Sequence, residues 1–306
     1  MNSTPSPIVK KPRILILGAS GMLGSTLLRY LLEQNDVVAM GTVRTASAES
    51  IFSPEMQRAI YCGIDADDVI CLQQLMTLSA PDVVINCIGL IKQLPSAHDP
   101  ISAIKVNALL PHQLAQMCTA QNARLIHIST DCVFSGSKGL YRESDTPDAI
   151  DLYGRTKLMG EIDYGSALTL RTSIIGPELN SNSSLLDWFL SQTDSIKGFT
   201  KAVFSGLPTV ELARVIADYV IPRPTLTGLY HVSSQPINKH ALLTLIAQIY
   251  QKHIHIVPDD KLVIDRSLNS DRFCDDTGYH APQWDELITR MHKFGVISKK
   301  GQNENV

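Results

Sequence analysis

The stretch RILILGASGMLGSTLLRYLL, running from Arg13 to Leu32, constrains the fold of this chain more than any other part of it. Arg13 to Leu17 is an apolar run of strand length that ends in Gly18, and Leu23, Leu27, Leu28 and Leu31 then recur at helical spacing. A strand therefore feeds a helix through a glycine turn. Gly18 and Gly21 let the backbone bend tightly and approach a pyrophosphate with no Cβ in the way, while Gly24 lets the helix lie close on the strand. The free N–H groups of the helix would then hold the phosphate. The spacing is GxxGxxG, one residue off the GxGxxG dinucleotide fingerprint. Taken alone, such a turn also suits a strand-to-helix corner with no ligand.

Downstream, strand and helix signals alternate. Val37 to Val43, Ala59 to Ile64, Asp82 to Cys87, Arg124 to Ser129 and Leu168 to Arg171 read as strands. Val69 to Leu78, Ile101 to Gln121 (led in by Pro100) and Tyr153 to Asp163 read as helices between them. The alternation predicts an α/β fold, a Rossmann-type doubly wound parallel sheet. After Arg171 the pattern loosens around Pro177, Asn180 and Asn182, and helical runs follow at Leu185 to Ser191, Val210 to Val220 and Lys239 to Tyr250. Residues 12–172 are expected to form the dinucleotide-binding domain, with a return segment near 203–232, and residues 173–306 mainly a smaller α/β substrate-binding domain. Residues 1–11 and those from about 297 to 306 are expected to be mobile tails.

Tyr153 and Lys157 are four apart in LYGRTKLMGE, so on a helix they share one face. The strand Arg124 to Ser129 presents Thr130 at its C-terminal end, where an open α/β sheet places its ligand. For these residues by themselves, a capping threonine and a solvated Tyr/Lys pair is the alternative. The second strand runs into Arg44, about 20 residues past Gly24, with no Asp or Glu at its end. In a dinucleotide fold an acid there binds the ribose hydroxyls of NAD, whereas an arginine accommodates the 2′-phosphate of NADP. The chain is expected to take NADPH, with NADH the alternative if Arg44 merely packs over the adenine. Arg171, Lys201, Arg266 and Arg272 are the candidates for clamping a diphosphate, since arginine matches paired phosphate oxygens.

GASGMLG, VINCIGL, VNALLPHQLA, ISTDCVF and YGRTKLMGE resemble, in that order, the motifs of extended short-chain dehydrogenases/reductases, most closely the dTDP-4-dehydrorhamnose reductase group. The resemblance implies that Thr130 bonds the substrate's carbonyl oxygen, that Tyr153 is the general acid, and that Lys157 draws the tyrosine pKa toward working pH. It implies cofactor contacts at Gly18, Ser20, Gly21, Met22, Leu23, Gly24, Arg44, Ile64, Asp65, Cys87, Ile88, Gly89, Asn107 and Ser129, besides Tyr153 and Lys157. Substrate contacts are implied at Thr130, Asp131 and Cys132. Where sugar reductases of that group often read STDYVF, this chain has Cys132 in place of a phenol, which leaves the exact sugar open.

Three activities follow from the resemblance. One is an NADPH-dependent reductase of a nucleotide-linked 4-keto-6-deoxyhexose, a dTDP- or UDP-sugar, in deoxysugar or cell-surface polysaccharide biosynthesis. Another is a sugar-nucleotide epimerase or dehydratase with bound NAD, against which Cys132 counts, because dehydratases typically carry Glu there. The third is a non-catalytic NADP-binding regulatory subunit like that of methionine adenosyltransferase. Intact Thr130, Tyr153 and Lys157 favour catalysis.

Composition excludes other classes. A net charge of −3 over 306 residues gives no footprint for nucleic acid. The N-terminus lacks an apolar signal-peptide core, and no apolar run suffices to cross a bilayer, so a cytoplasmic protein without membrane contact is expected. Six cysteines without CxxC and nine scattered histidines without HExxH predict reduced thiols and no metal. Self-association as a homodimer stays open.

Overall fold

The computed structural model describes residues 10–91, 99–179 and 184–303. Residues 1–9 of the expected N-terminal tail, and Asn180 and Asn182 of the loop-rich stretch, lie outside the described residues. The first six strands are β1 (Arg13–Leu17), β2 (Val38–Thr42), β3 (Ile60–Tyr61), β4 (Val83–Asn86), β5 (Arg124–Thr130) and β6 (Leu168–Thr172). With the strand Gly228–His231 they form one seven-stranded sheet, ordered Gly228–His231, β6, β5, β4, β1, β2, β3. Every pair in it is parallel. The doubly wound fold is therefore present, and strand order reverses between β1 and β4, the point at which such sheets open a crevice.

Both faces of the sheet are covered, which is why β1 is apolar from Ile14 to Leu17 rather than alternating. Ile14, Ile16, Ile85 and Ile126 pack with Leu27, Leu28, Leu212 and Ile216 on one side. Leu15, Leu17, Val84 and Leu125 pack with Leu72, Leu75, Leu114 and Cys118 on the other. Each such side chain, fully withdrawn from water, contributes about 1.5–3 kcal/mol. Arg124, at the start of β5, is buried and donates to the carbonyls of Val220 (2.8 Å) and Leu226 (2.6 Å), tying the sheet to the end of the second-half helix.

Small sheets lie in the second half. Ile174–Ile175 pairs with Leu207–Pro208, and Ile196–Phe199 with Ile256–Asp259. A third has Ala202–Phe204 between Ile237–Asn238 and Ile264–Asp265.

Several boundaries differ from expectation. The third strand shrinks to two residues. The helix expected over Ile101 to Gln121 spans Pro100 to Ala120 but widens into a π-helical stretch at Ile104–Leu109. The helix that carries Tyr153 and Lys157 stops at Met159, not Asp163. At the C-terminus a helix spans Trp284–Asn303 and so takes in residues 297–303 of the expected tail. Long-range contacts hold it, with Arg290 paired to buried Glu211 at 2.7 Å and the Arg29 guanidinium 3.9 Å over the Phe294 ring. The helix Asp271–Thr277 is a further element outside the sequence expectation.

Candidate active site

The glycine turn sits at the reversal point. Gly18 adopts φ +82°, which an L side chain rarely takes, and its N–H and that of Ala19 are bonded to the hydroxyl and carbonyl of Thr42 on β2. A Cβ on Gly24 would lie 2.2 Å from the Gly18 carbonyl oxygen, so only glycine lets the helix Met22–Gln34 approach β1 this closely. Gly21 is different. A Cβ there would meet that oxygen at 3.4 Å, an ordinary contact, and the residue is exposed. Packing does not demand glycine at this position, but a phosphate resting on the turn would. The helix begins with no side-chain cap and no acid in its first turn. Its N–H groups and positive dipole end therefore suit an anion. Ser20 and Met22 are half-buried beside the turn, while Leu23 is buried in the core.

Arg44 leaves the end of β2 exposed to solvent. Ile64 is bonded back to the Val43 carbonyl at 3.1 Å, so Arg44 and exposed Asp65 come off neighbouring strand ends. On the other side of the turn, a Cβ on Gly18 would touch Ile88 at 3.0 Å, and Cys87 is bonded to the Leu17 carbonyl. Burial pushes the Cys87 thiol up to about 12, so it stays protonated. A Cβ on Gly89 would lie 4.0 Å from Lys157 Nζ, which puts the segment after β4 against the lysine.

Tyr153 is placed by a glycine as well. Asp151 caps the helix Leu152–Met159 by accepting from Gly154 N at 2.9 Å. A Cβ on Gly154 would fall 2.3 Å from the Cys132 carbonyl oxygen. The first turn of the helix therefore lies directly on the segment that follows β5. Tyr153 and Thr130 share a side-chain hydrogen bond there. Burial, then the neighbouring Cys132, pushes the Tyr153 phenol above its ordinary value, with Thr130 pulling the other way. One turn on, Lys157 is buried and donates to the Ile128 carbonyl at 2.7 Å. Desolvation draws its pKa down to about 8, with Glu161 and Cys87 opposing the fall.

The structure gathers Thr130, Asp131, Cys132, Tyr153 and Lys157 at the C-terminal end of β5. Arg266 joins them, its Nε donating to the Phe134 carbonyl at 2.7 Å and its guanidinium 3.9 Å from Cys132 Sγ. Other expected ligand contacts are turned inward. Arg171 is buried, holding Glu161 through two bonds of 2.7 and 2.6 Å and lying 3.3 Å from His231. It is a structural ion pair, not a phosphate clamp. The Ser129 hydroxyl donates to the same Glu161 at 2.7 Å. The Asn107 amide clasps both N–H and carbonyl of Leu90 and reaches Thr156, so it fixes the segment after β4 against the Tyr153 helix. Lys201 is exposed and paired with Asp260, and Arg272 lies 4.3 Å over the Tyr230 ring. Lys239 was not anticipated. Asp131 and Cys132 both act on its charge, and its Nζ lies 5.0 Å over the Phe204 ring. Nothing local marks it, because it opens an otherwise ordinary helix.

The family model for the RmlD substrate binding domain matches residues 12–270. A probable low-salt glycan biosynthesis reductase, Agl14, from Haloferax volcanii is 30% identical over 231 residues, covering 72% of this chain and 74% of that protein. Methionine adenosyltransferase 2 subunit beta from Bos taurus is 26% identical over 277 residues, covering 82% and 77%. The crystal structure of a hypothetical dTDP-4-dehydrorhamnose reductase from Sulfolobus tokodaii has a TM-score of 0.72 at 26% identity, covering 89% of this chain and 98% of that one. The fold and the site are thus those of an oxidoreductase of the extended short-chain dehydrogenase/reductase type. Within that class, the chain belongs to the RmlD substrate binding domain family.

Proposed function

We propose that this chain uses NADPH to reduce the ketone of a nucleotide-linked 4-keto-6-deoxyhexose, carried on dTDP or UDP. The observation that carries the reading is the Tyr153–Thr130 hydrogen bond with Lys157 one turn away, set at the mouth of the sheet beside the glycine turn. When bound, the reduced nicotinamide supplies a hydride. Tyr153, its pKa raised, holds its proton at neutral pH and is a loaded acid. Thr130 holds the ketone oxygen next to that phenol, and the phenol proton crosses to the oxygen as negative charge develops there. Lys157, with a pKa of about 8, is mostly an ammonium at pH 7 and offsets the phenolate left behind.

The open face of Gly21 and the uncapped helix fit a pyrophosphate, and Arg44, with no acid beside it at the end of β2, fits a 2′-phosphate. Arg266, whose guanidinium lies beside Cys132, would meet the sugar nucleotide. The similarity to an adenosyltransferase beta subunit supports a second reading, a cofactor-binding partner without turnover. Offering dTDP- and UDP-linked 4-keto sugars one by one and following NADPH absorbance separates the two. Turnover with at least one is expected. Tight NADPH binding without turnover of any keto sugar would move the assignment to the regulatory reading.

A further inference from the structure

Asn86 on β4 and His127 on β5 are partners in the register of the two strands, and both are wholly buried. The Asn86 carboxamide oxygen accepts from Ile88 N at 3.0 Å, which fixes the way the amide faces: turned over, it would set an NH2 against an N–H. Its NH2 therefore points at His127 Nδ1, 3.2 Å away. An NH2 can only donate, so Nδ1 keeps its lone pair and the ring carries its proton on Nε2. That N–H has no partner among the described residues. Burial, then the nearby Lys157 charge, hold the His127 pKa well below the usual imidazole value, so the ring is neutral. A buried donor left unpaired costs about 1–3 kcal/mol, and an apolar side chain would fill the same space without that cost. What a histidine does here that an apolar residue cannot is accept from Asn86.

The bond matters because of what Asn86 holds. Its oxygen fixes the turn out of β4 at Ile88, and the Asn107 amide grips the N–H and carbonyl of Leu90. Between the two grips runs the strip Cys87–Gly89, which borders both halves of the site. A Cβ on Gly18 would come within 3.3 Å of Ile88 N, and one on Gly89 would lie 4.0 Å from Lys157 Nζ. We infer that His127 is a positioning residue for the nicotinamide end of the cofactor: as the Nε2–H tautomer it holds the Asn86 amide, and through that amide the Cys87–Gly89 strip. The inference rests on the reading of that strip as a cofactor contact, and it does not depend on which sugar is reduced.

His127→Leu removes the acceptor and the unpaired donor together, so the thermal midpoint should move little. NADPH should bind about tenfold more weakly, because the strip is no longer preorganised. By contrast 2′-phospho-ADP-ribose, the same molecule without its nicotinamide, should bind as it does to the wild type. His127→Asn puts an amide oxygen close to the place of Nδ1 and should recover most of the NADPH affinity. Nitrogen NMR of histidine-labelled protein reads the tautomer directly, with the His127 signals assigned by their loss in His127→Leu. Nδ1 should be the unprotonated nitrogen at neutral pH. Asn86→Asp keeps the shape and the bond to Ile88 but needs a donor from the ring, so in that variant Nδ1 should become protonated. Equal weakening of both ligands, unchanged NADPH binding in His127→Leu, no recovery in His127→Asn, a proton on Nδ1 in the wild type, or an Nδ1 signal unmoved in Asn86→Asp would overturn the inference. Failure of every keto sugar to turn over would remove the reductase reading alone, and the two binding measurements would still decide the role of His127.

Discussion

The two sides of the site are built to different standards. On the cofactor side, β1 is paired over four residues with β2 and over four with β4, and the glycine turn is tied to Thr42 by two further bonds. On the substrate side, Arg266 and Lys239 follow two-residue strands, Ile264–Asp265 and Ile237–Asn238, that flank Ala202–Phe204. What fixes those strands is side-chain bonding, as in the Ser267 hydroxyl accepting from Leu140 N at 2.8 Å and Arg266 reaching the Phe134 carbonyl. Long ladders hold the groups whose placement tolerates least error. Short ladders hold the groups proposed to meet a substrate, and these can change without disturbing the sheet.

The sharpest way to break the contrast is at the acid. Tyr153→Phe leaves every ladder intact and should lower kcat by about 10²- to 10⁴-fold while NADPH binding, measured by fluorescence, stays unchanged. A loss of only about 10-fold would remove Tyr153 from that role. Next in size is the glycine pair. Gly24→Ala forces a Cβ against the Gly18 carbonyl, so it should lose about 1–3 kcal/mol of stability or more, together with cofactor binding. Gly21→Ala should leave the thermal midpoint almost unchanged and weaken NADPH about tenfold, since only the approach of the phosphate is blocked. Equal destabilisation by the two would show that Gly21, too, serves the fold alone. A last test concerns cofactor choice. Arg44→Ala should weaken NADPH by about 1.5–3 kcal/mol, the worth of a hydrogen bond to a charged group, and NADH hardly at all. Equal weakening of both would reassign Arg44 to the surface.

The same contrast explains what the sequence made legible. RILIL and VVIN are continuous apolar runs because both faces of the sheet are buried, so strands in the first half announce themselves. Gly160 could have marked the end of the Tyr153 helix: a Cβ there would fall 1.9 Å from the Asn107 carbonyl oxygen. The glycine is visible, but its reason lies across the fold. Arg171 looked like a phosphate ligand because a lone guanidinium in a sequence carries no sign of its partner. Glu161, ten residues earlier, supplies that partner only once β6 has brought the two together. The last helix is a different case: Trp284, Leu287, Ile288 and Met291 stand at helical spacing and are buried in the core, and Glu211 and Arg29 add bonds to Arg290 and Phe294 from 79 and 265 residues away. Local pattern reports burial on a sheet, whereas pairing between distant charges leaves no periodic trace.

The seventh strand, Gly228–His231, lies against β6 at the edge of the main sheet and is supplied from beyond the first four small-sheet strands of the chain. During synthesis, β6 must therefore leave the ribosome with one flank of backbone N–H and carbonyl groups bare, and wait for more than fifty further residues before its neighbour arrives. An uncovered flank of this kind invites pairing with another chain. Shortening the chain after Thr172 would make that wait permanent, so the nucleotide-binding half is poorly suited to life as a separate piece.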